Sequence, residues 1–339
     1  MKILFIGPNK LSSKHKLLCL KKNFKYVDYI DGYKAFKFNK IYEKIFWHIS
    51  SKLFENQINN YFLSKIKNKK YDLIFVDSGE LVGEKLIKIL KKICKKIVFY
   101  CNDNPFVKRD KKKWQLCLSS LKFYDLVVFH NKSRIIPSRK LGVKKTLLVL
   151  PSYQKKVHYP LKIKNKKRVY KNDIIFIGTW EPFRGLFFKE LIELGLNIKI
   201  FGGLWEKDSN YNFLKDHIRL GHVNDKKYTK LIYESRIAIC IPSVGNNDDI
   251  TKRSIEIPAI GTLLCALRTK THKNVFIENK EAIFFKDSIE CFKKCQKLLK
   301  NQSKIDEIAN KGYIKITKTL KTDFETVIKK IVKTLIKKK

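Results

Sequence analysis

The chain has 339 residues, 44 % of them hydrophobic, which is the apolar content of a folded globular protein and more length than one core of about 100–200 residues absorbs, so two domains are expected. Lys and Arg number 74 against 31 Asp and Glu, a net charge of +43 that points first to nucleic acid or an anionic surface. Yet nine of the 74 are Arg and the lysines are spread over nearly every segment, so the excess reads as drift in composition and no specific nucleic-acid partner is expected.

From its first residues the chain enters a strand pattern, Lys2-Ile3-Leu4-Phe5-Ile6-Gly7, with no charged leader ahead of a long apolar stretch. No run approaches the roughly 18–20 apolar residues that span a bilayer, and a cytoplasmic protein is expected. Short apolar, β-branched and aromatic runs then recur between helix-like stretches, the signature of a parallel sheet with crossover helices. Strands are predicted at Ile3–Gly7, Tyr26–Asp31, Asp72–Asp77, Lys96–Cys101, Leu126–His130 and Thr146–Leu150. A second set follows at Asp173–Gly178, Ile198–Gly202, Ile218–Val223, Ala238–Pro242, Thr262–Leu267 and Ala282–Phe285. Six and six imply an α/β protein of two doubly wound, Rossmann-like domains, with ligands outside the carboxyl ends of the strands in a cleft between them.

The predicted division is 1–151 for the N-terminal domain, 152–171 for a linker rich in Lys and Pro, 172–305 for the C-terminal domain and 306–339 for terminal helices. Helices are predicted at Asp287–Lys300, Lys304–Gly312 and Asp323–Lys338, the last with Phe324, Val327, Ile328, Ile331, Val332 and Leu335 at helical spacing. Packing back on the body is the expectation for this basic amphipathic helix, with weak contact at an anionic membrane surface as the alternative. Eight cysteines contain no C-x-x-C pair and several sit in apolar runs such as Ala238-Ile239-Cys240-Ile241, so buried thiols in a reducing compartment are expected, without a zinc site or disulfide framework. Cys291 and Cys295, one helical turn apart, are read as neutral packing.

Two segments combine residues suited to an anionic ligand. The strand ending at Ile177 runs through Gly178-Thr179-Trp180-Glu181-Pro182-Phe183-Arg184-Gly185 into a helix pattern from Leu186 to Leu194. Gly178 permits close backbone approach, a helix N-terminus offers unpaired N–H groups, and Arg184 adds positive charge, a combination that suits a diphosphate. The same residues also suit an ordinary strand–turn–helix unit. Downstream, Asn246-Asn247-Asp248-Asp249-Ile250-Thr251-Lys252-Arg253-Ser254-Ile255-Glu256 places Arg253 one turn ahead of Glu256 on a helix; a carboxylate there can accept ribose hydroxyls while Arg253 faces phosphate. A plain surface pair of Arg253 and Glu256 is the structural alternative.

Taken in order, Ile177–Gly185, Phe201-Gly202-Gly203-Leu204-Trp205, Gly221-His222-Val223, Arg253–Gly261 and Phe276–Phe285 resemble the C-terminal domain of GT-B glycosyltransferases. The nearest likeness is to the CgeB-like, spore-maturation-protein-like group, and a more remote one is to the retaining family 4, or group 1, enzymes. Asp77-Ser78-Gly79-Glu80-Leu81, Tyr100–Phe106 and Tyr124–Val128 extend the resemblance into the first half.

The resemblance implies a GT-B fold with two Rossmann-like domains facing a central cleft, and transfer of a sugar from a nucleotide-sugar donor to a glycan or other glycoconjugate, as in polysaccharide synthesis. Gly178, Thr179 and Arg184 map onto the donor diphosphate turn, and His222 lies beside it. Glu256 is similar to the second Glu of the family's E-x7-E pattern, which binds the donor ribose, and Arg253 to the basic residue ahead of it. Asp248 takes the place of the first Glu with a shorter side chain, as a catalytic candidate near the sugar. Asp103 is the candidate for acceptor contact or general base, with an Asx turn before Pro105 as its structural alternative. Gly7, Asn102 and His130 fall on the acceptor side. No D-x-D motif follows a strand, so neither a metal nor another cofactor is expected and the nucleotide sugar is a co-substrate; the D-x7-E spacing favours retention of anomeric configuration. The rival readings are a nucleotide-sugar epimerase or phosphorylase, a non-catalytic sugar-nucleotide-binding protein of the same fold, and a basic nucleic-acid-binding protein.

Overall fold

A computed structural model describes residues 1–36, 40–161 and 168–336; the run Lys162–Lys167 of the predicted linker lies outside the described residues. The first sheet contains β1 (Lys2–Ile6), β2 (Tyr26–Ile30), β3 (Leu73–Asp77), β4 (Ile97–Tyr100), β5 (Leu126–Phe129) and β6 (Thr146–Leu148), in the order β2-β1-β3-β4-β5-β6. The second contains β7 (Asn172–Ile177), β8 (Ile198–Gly202), β9 (Ile218–Leu220), β10 (Ser235–Cys240), β11 (Leu263–Leu267) and β12 (Ile283–Phe285), in the order β12-β11-β10-β7-β8-β9. All these pairings are parallel. Each predicted strand is present.

Both faces of each sheet are covered, and for that reason the central strands read as unbroken apolar runs such as Leu73-Ile74-Phe75-Val76. The cover in the first half consists of α1 (Leu11–Asn23), α2 (Lys40–His48), α3 (Glu55–Ile66), α4 (Glu84–Ile93), α5 (Gln115–Ser120) and α6 (Ile135–Lys140). In the second it consists of α7 (Pro182–Glu193), α8 (Tyr211–Leu214), α9 (Asp225–Tyr233), α10 (Arg253–Ala259), α11 (Lys270–Val275), α12 (Ser288–Leu299) and α13 (Gln302–Ile314), and α14 (Phe324–Ile336) follows. Among the described residues no helix is long and apolar enough to cross a membrane.

The chain divides into two compact units, Met1–Leu150 with Phe324–Lys339, and Pro151–Asp323. The predicted boundaries differ in two places. Residue 151, read as the end of the first domain, and residues 152–161, read as linker, belong to the second unit: Tyr153 forms a parallel bridge with Asp323, and Thr229 Oγ1 donates to Val157 O at 2.8 Å. Residues 306–339, read as one group, part at Asp323. Helix α13 buries Ile305, Ile308 and Ala309 in the second unit, whereas α14 buries Phe324, Val327, Ile328, Ile331, Val332 and Leu335 against Ile3, Phe5, Leu73, Phe75 and Val98 of the first sheet. The apolar face of α14 is therefore occupied within the first unit.

Candidate functional site

In the second sheet the chain moves outward from β7 through β8 to β9, then crosses to β10 on the other side of β7. Loops leaving the carboxyl ends of β7 and β10 diverge at this switch point, and the crevice between them is where open α/β sheets bind ligands. Gly178, the first residue beyond β7, donates its N–H to Phe201 O at 2.8 Å and accepts from Trp205 Nε1 at 2.9 Å. Two close approaches require glycine: a Cβ at 178 would stand 2.6 Å from the Phe176 ring, and one at 202 would stand 2.0 Å from Gly178 O. The loop continues through Trp180, whose N–H reaches Gly203 O at 3.0 Å and whose indole reaches Asp208 Oδ2 at 2.6 Å.

Arg184 lies in the first turn of α7 and is buried. Its guanidinium donates to Thr179 O and, at 3.1 Å, to Ile241 O beyond β10, and it pairs with Glu181 Oε1 at 3.2 Å. Glu181 Oε2 accepts the N–H of Val244 at 3.0 Å, so Glu181 and Arg184 together join the two loops of the switch point. Burial lowers the pKa of Arg184, with Glu181 opposing and the nearby charge of Arg253 adding to the effect. Arg253 opens α10 after β10 and is half-buried. The Nε of each of these arginines is buried and has no hydrogen-bond partner among the described residues. Two like charges held close enough to oppose each other, with donors left over, form a site that an anion with several oxygens would relieve.

One turn beyond Arg253, the Glu256 side chain is 14 % exposed, and His158 Nε2 lies 3.8 Å from its Oε1. The backbone N–H of Gln154 donates to His158 Nδ1 at 3.0 Å, which places the ring proton of neutral His158 on Nε2, the atom facing Glu256. Tyr228, on α9, packs edge-on against His158 with ring centroids 5.8 Å apart. Burial first, and Glu256 second, push the Tyr228 phenol well above its ordinary pKa.

The start of α10 is fixed from behind. Ser254 Oγ donates to Nε2 of fully buried His272 at 2.8 Å, and His272 Nδ1 donates to Leu267 O at 2.8 Å. Burial brings the His272 pKa down to about 4, so the ring is neutral and acts as acceptor and donor in this chain. Thr251 N–H also reaches Ser254 Oγ, at 3.2 Å.

The remaining donor-side candidates stand elsewhere on this edge. Asp248 accepts from Asn246 Nδ2 at 2.8 Å within the loop after β10, its own N–H bonded to Ser243 O at 3.0 Å. His222 is exposed beyond β9, two strands from β7. His158, Tyr228 and His272 are the neighbours that sequence reasoning missed. His158 sat in a Lys- and Pro-rich stretch without periodicity, and nothing in the sequence marked it.

The first unit has its own switch point between β1 and β3. Gly7, Pro8, Tyr33, Asp77, Glu80 and Leu81 line a pocket there. Asp77 is buried and paired with Lys16, takes Ser13 Oγ at 2.5 Å, and the Lys16 ammonium stands 4.7 Å from the Tyr100 ring centroid. Glu80 accepts from Tyr33 OH at 2.7 Å and lies 3.8 Å from Lys113 Nζ. Of the acceptor-side candidates, Gly7 lines this pocket, while Asn102, Asp103 and His130 follow β4 and β5 farther along the edge. Asp103 is paired with Arg109 at 3.2 Å. The Asx turn of this loop is made by Asn104, whose Oδ1 accepts Phe106 N–H at 3.1 Å. Asn102 O accepts Arg134 Nη1 at 2.8 Å, and its buried Oδ1 has no hydrogen-bond partner among the described residues. His130 Nδ1 donates to Val149 O at 3.1 Å and the ring lies edge-on to Tyr100.

Two parallel doubly wound sheets, the second with a cationic crevice at its switch point, define the fold as GT-B. Solved structures agree. The chain is similar to sucrose-phosphate synthase from Thermosynechococcus elongatus, with a TM-score of 0.71 and 12 % identity over 99 % of each chain. It is similar to HepE from Anabaena in complex with UDP-glucose, with a TM-score of 0.63 and 13 % identity over 99 % of each chain. A third likeness is to the N-terminal domain of Candida albicans trehalose-6-phosphate phosphatase, at a TM-score of 0.66 and 13 % identity over 99 % of this chain and 97 % of that one. Residues 184–323 match the model of a family described as glycosyl transferase-like, a span that includes Arg184, Arg253 and Glu256. No curated protein matches the chain in sequence.

Proposed function

We propose that the protein is a glycosyltransferase of the CgeB-like kind that binds a nucleoside-diphosphate sugar in its second unit and passes the sugar to a hydroxyl of a glycan or other glycoconjugate. The observation that carries this is the convergence of Arg184 and Arg253 at the β7–β10 switch point, with Glu256 one turn behind Arg253. Cleavage of a sugar–phosphate bond develops negative charge on the departing diphosphate. The two guanidinium groups and the N–H of Thr179, with the Gly178 N–H kept by Phe201 O, would meet that charge in a partly water-excluded setting, where fixed dipoles act most strongly. With this charge supplied by the chain itself, transfer is proposed to run without a metal ion.

Glu256 would accept the two hydroxyls of the donor ribose, and Asp248 would act near the sugar with retention at the anomeric carbon. That HepE is seen with UDP-glucose supports a nucleotide-sugar donor. Asp103 is proposed as the acceptor base once its pairing with Arg109 is released. The +43 charge would favour work beside anionic lipid at the cytoplasmic face of a membrane.

The test is a panel of UDP-, GDP- and TDP-sugars read by thermal shift and by release of free nucleoside diphosphate, with and without a chelator. One donor should raise Tm and be turned over equally in both conditions. If no donor shifts Tm while DNA or RNA binds with a steep salt dependence, the glycosyltransferase reading is wrong.

A further inference from the structure

Away from the switch point, β11 and α12 bring three thiols together in the core of the second unit. Cys265 Sγ lies 3.9 Å from Cys291 Sγ and 3.9 Å from Cys295 Sγ, and all three sulfurs fall within 4.8 Å of one another. The arrangement follows from the spacing: Cys291 and Cys295 are one turn apart on the buried side of α12, and Cys265 is the middle residue of β11. A disulfide would hold two sulfurs at about 2.05 Å, so these are separate thiols.

Metal–thiolate bonds of about 2.3 Å to a central ion place three coplanar sulfurs about 4.0 Å apart. Two of the three distances in the reduced cluster already have that spacing, and the third is within 4.8 Å. Among the described residues no fourth His, Cys, Asp or Glu joins the group, which argues against tetrahedral zinc and for a soft ion content with three sulfurs. The sequence reading of Cys291 and Cys295 as neutral packing lacked the third partner, which lies 26 residues before Cys291.

We propose that Cys265, Cys291 and Cys295 form a three-coordinate site for a soft, thiophilic metal ion. On binding a divalent ion each thiol releases its proton to water, three metal–sulfur bonds form, and the product carries one negative charge; nothing is oxidised or reduced. The bound ion would staple strand β11 to helix α12.

The test uses the full chain, reduced, with cadmium chloride alone. One cadmium per chain should survive dialysis, with a sulfur-to-metal charge-transfer absorption, release of about three protons and a rise in Tm. Cys265→Ser and Cys291→Ser should each weaken retention at least tenfold, while Cys94→Ser, in the first unit, should leave it unchanged. X-ray absorption on cadmium-loaded wild type reads the ligand shell without any variant, and three sulfur neighbours are expected. Failure of the folded wild type to retain cadmium, fewer than three sulfur neighbours, or retention unaffected by Cys265→Ser would each overturn the site.

Discussion

The Nε2–H of His158 faces the Glu256 carboxylate across 3.8 Å, held in that orientation by the Gln154 N–H bonded to Nδ1. A histidine so placed orients the carboxylate without touching the reacting atoms, so its effect belongs in donor affinity. His158→Ala should raise the donor Kd about three- to tenfold with kcat nearly unchanged, and His158→Gln, which keeps an N–H donor, should recover part of it. Titration of donor into both variants checks this. A loss confined to kcat would remove His158 from the role of positioning residue.

Arg184 and Arg253 should separate stability from binding. Arg184→Ala removes a buried cation from Glu181 Oε1 and from the carbonyls of Thr179 and Ile241, and about 2–4 kcal/mol of stability should be lost. Arg253→Ala breaks no such bridge and should fold normally while donor kcat/KM falls about a hundredfold. Denaturant unfolding beside steady-state kinetics distinguishes the two. Equal losses of stability would contradict the division.

Acid should weaken the second unit through His272. Its pKa falls from an ordinary 6.5 to about 4 because the buried ring is kept neutral. The depressed folded-state value means that its full contribution is present above pH 6.5 and is lost as pH falls towards 4, a total of about 3 kcal/mol. In His272→Asn, unfolding free energy should be lower at pH 7 and flatter over this window. A wild-type profile equally flat from pH 7 to 4 would disprove the linkage.

Ile328, fully buried on α14 against the first sheet, is a direct probe of that packing. Ile328→Ala should cost about 2–5 kcal/mol in unfolding of the first unit. A loss under about 0.5 kcal/mol, the level of a surface substitution, would mean that α14 does not close that core.

Hydrophobic runs bounded by Gly and Pro made the strands legible, because in a sheet covered on both faces each strand announces itself without reference to its neighbours. Strands β1 and β7 begin one residue earlier than predicted and β10 three: Ser235 and Arg236 interrupt the apolar pattern, yet Ser235 is in register with Asn172, and Arg236 is satisfied by Asp173 at 3.0 Å and Gln302 at 2.6 Å. Partners distant in sequence were not legible. Arg168 looked like one more base in a lysine-rich linker, but its guanidinium bonds Tyr233 O at 2.8 Å, Gly261 O at 2.5 Å and Thr262 Oγ1 at 2.7 Å. Gly178, Arg184, Arg253 and Glu256 could be singled out as candidates because they lie in local patterns. His158 and His272 could not, since their importance is set by what they face.

The helix that closes the first core follows the whole second unit in the chain. A ribosome therefore releases the six strands of the first sheet about 170 residues before the helix that covers Phe5, Phe75 and Val98, whereas the second unit is complete as soon as Asp323 emerges. During synthesis the earlier-made half waits with an apolar face open, and it is the half expected to need a chaperone. A chain cut short at Asp323 would remain in that waiting state.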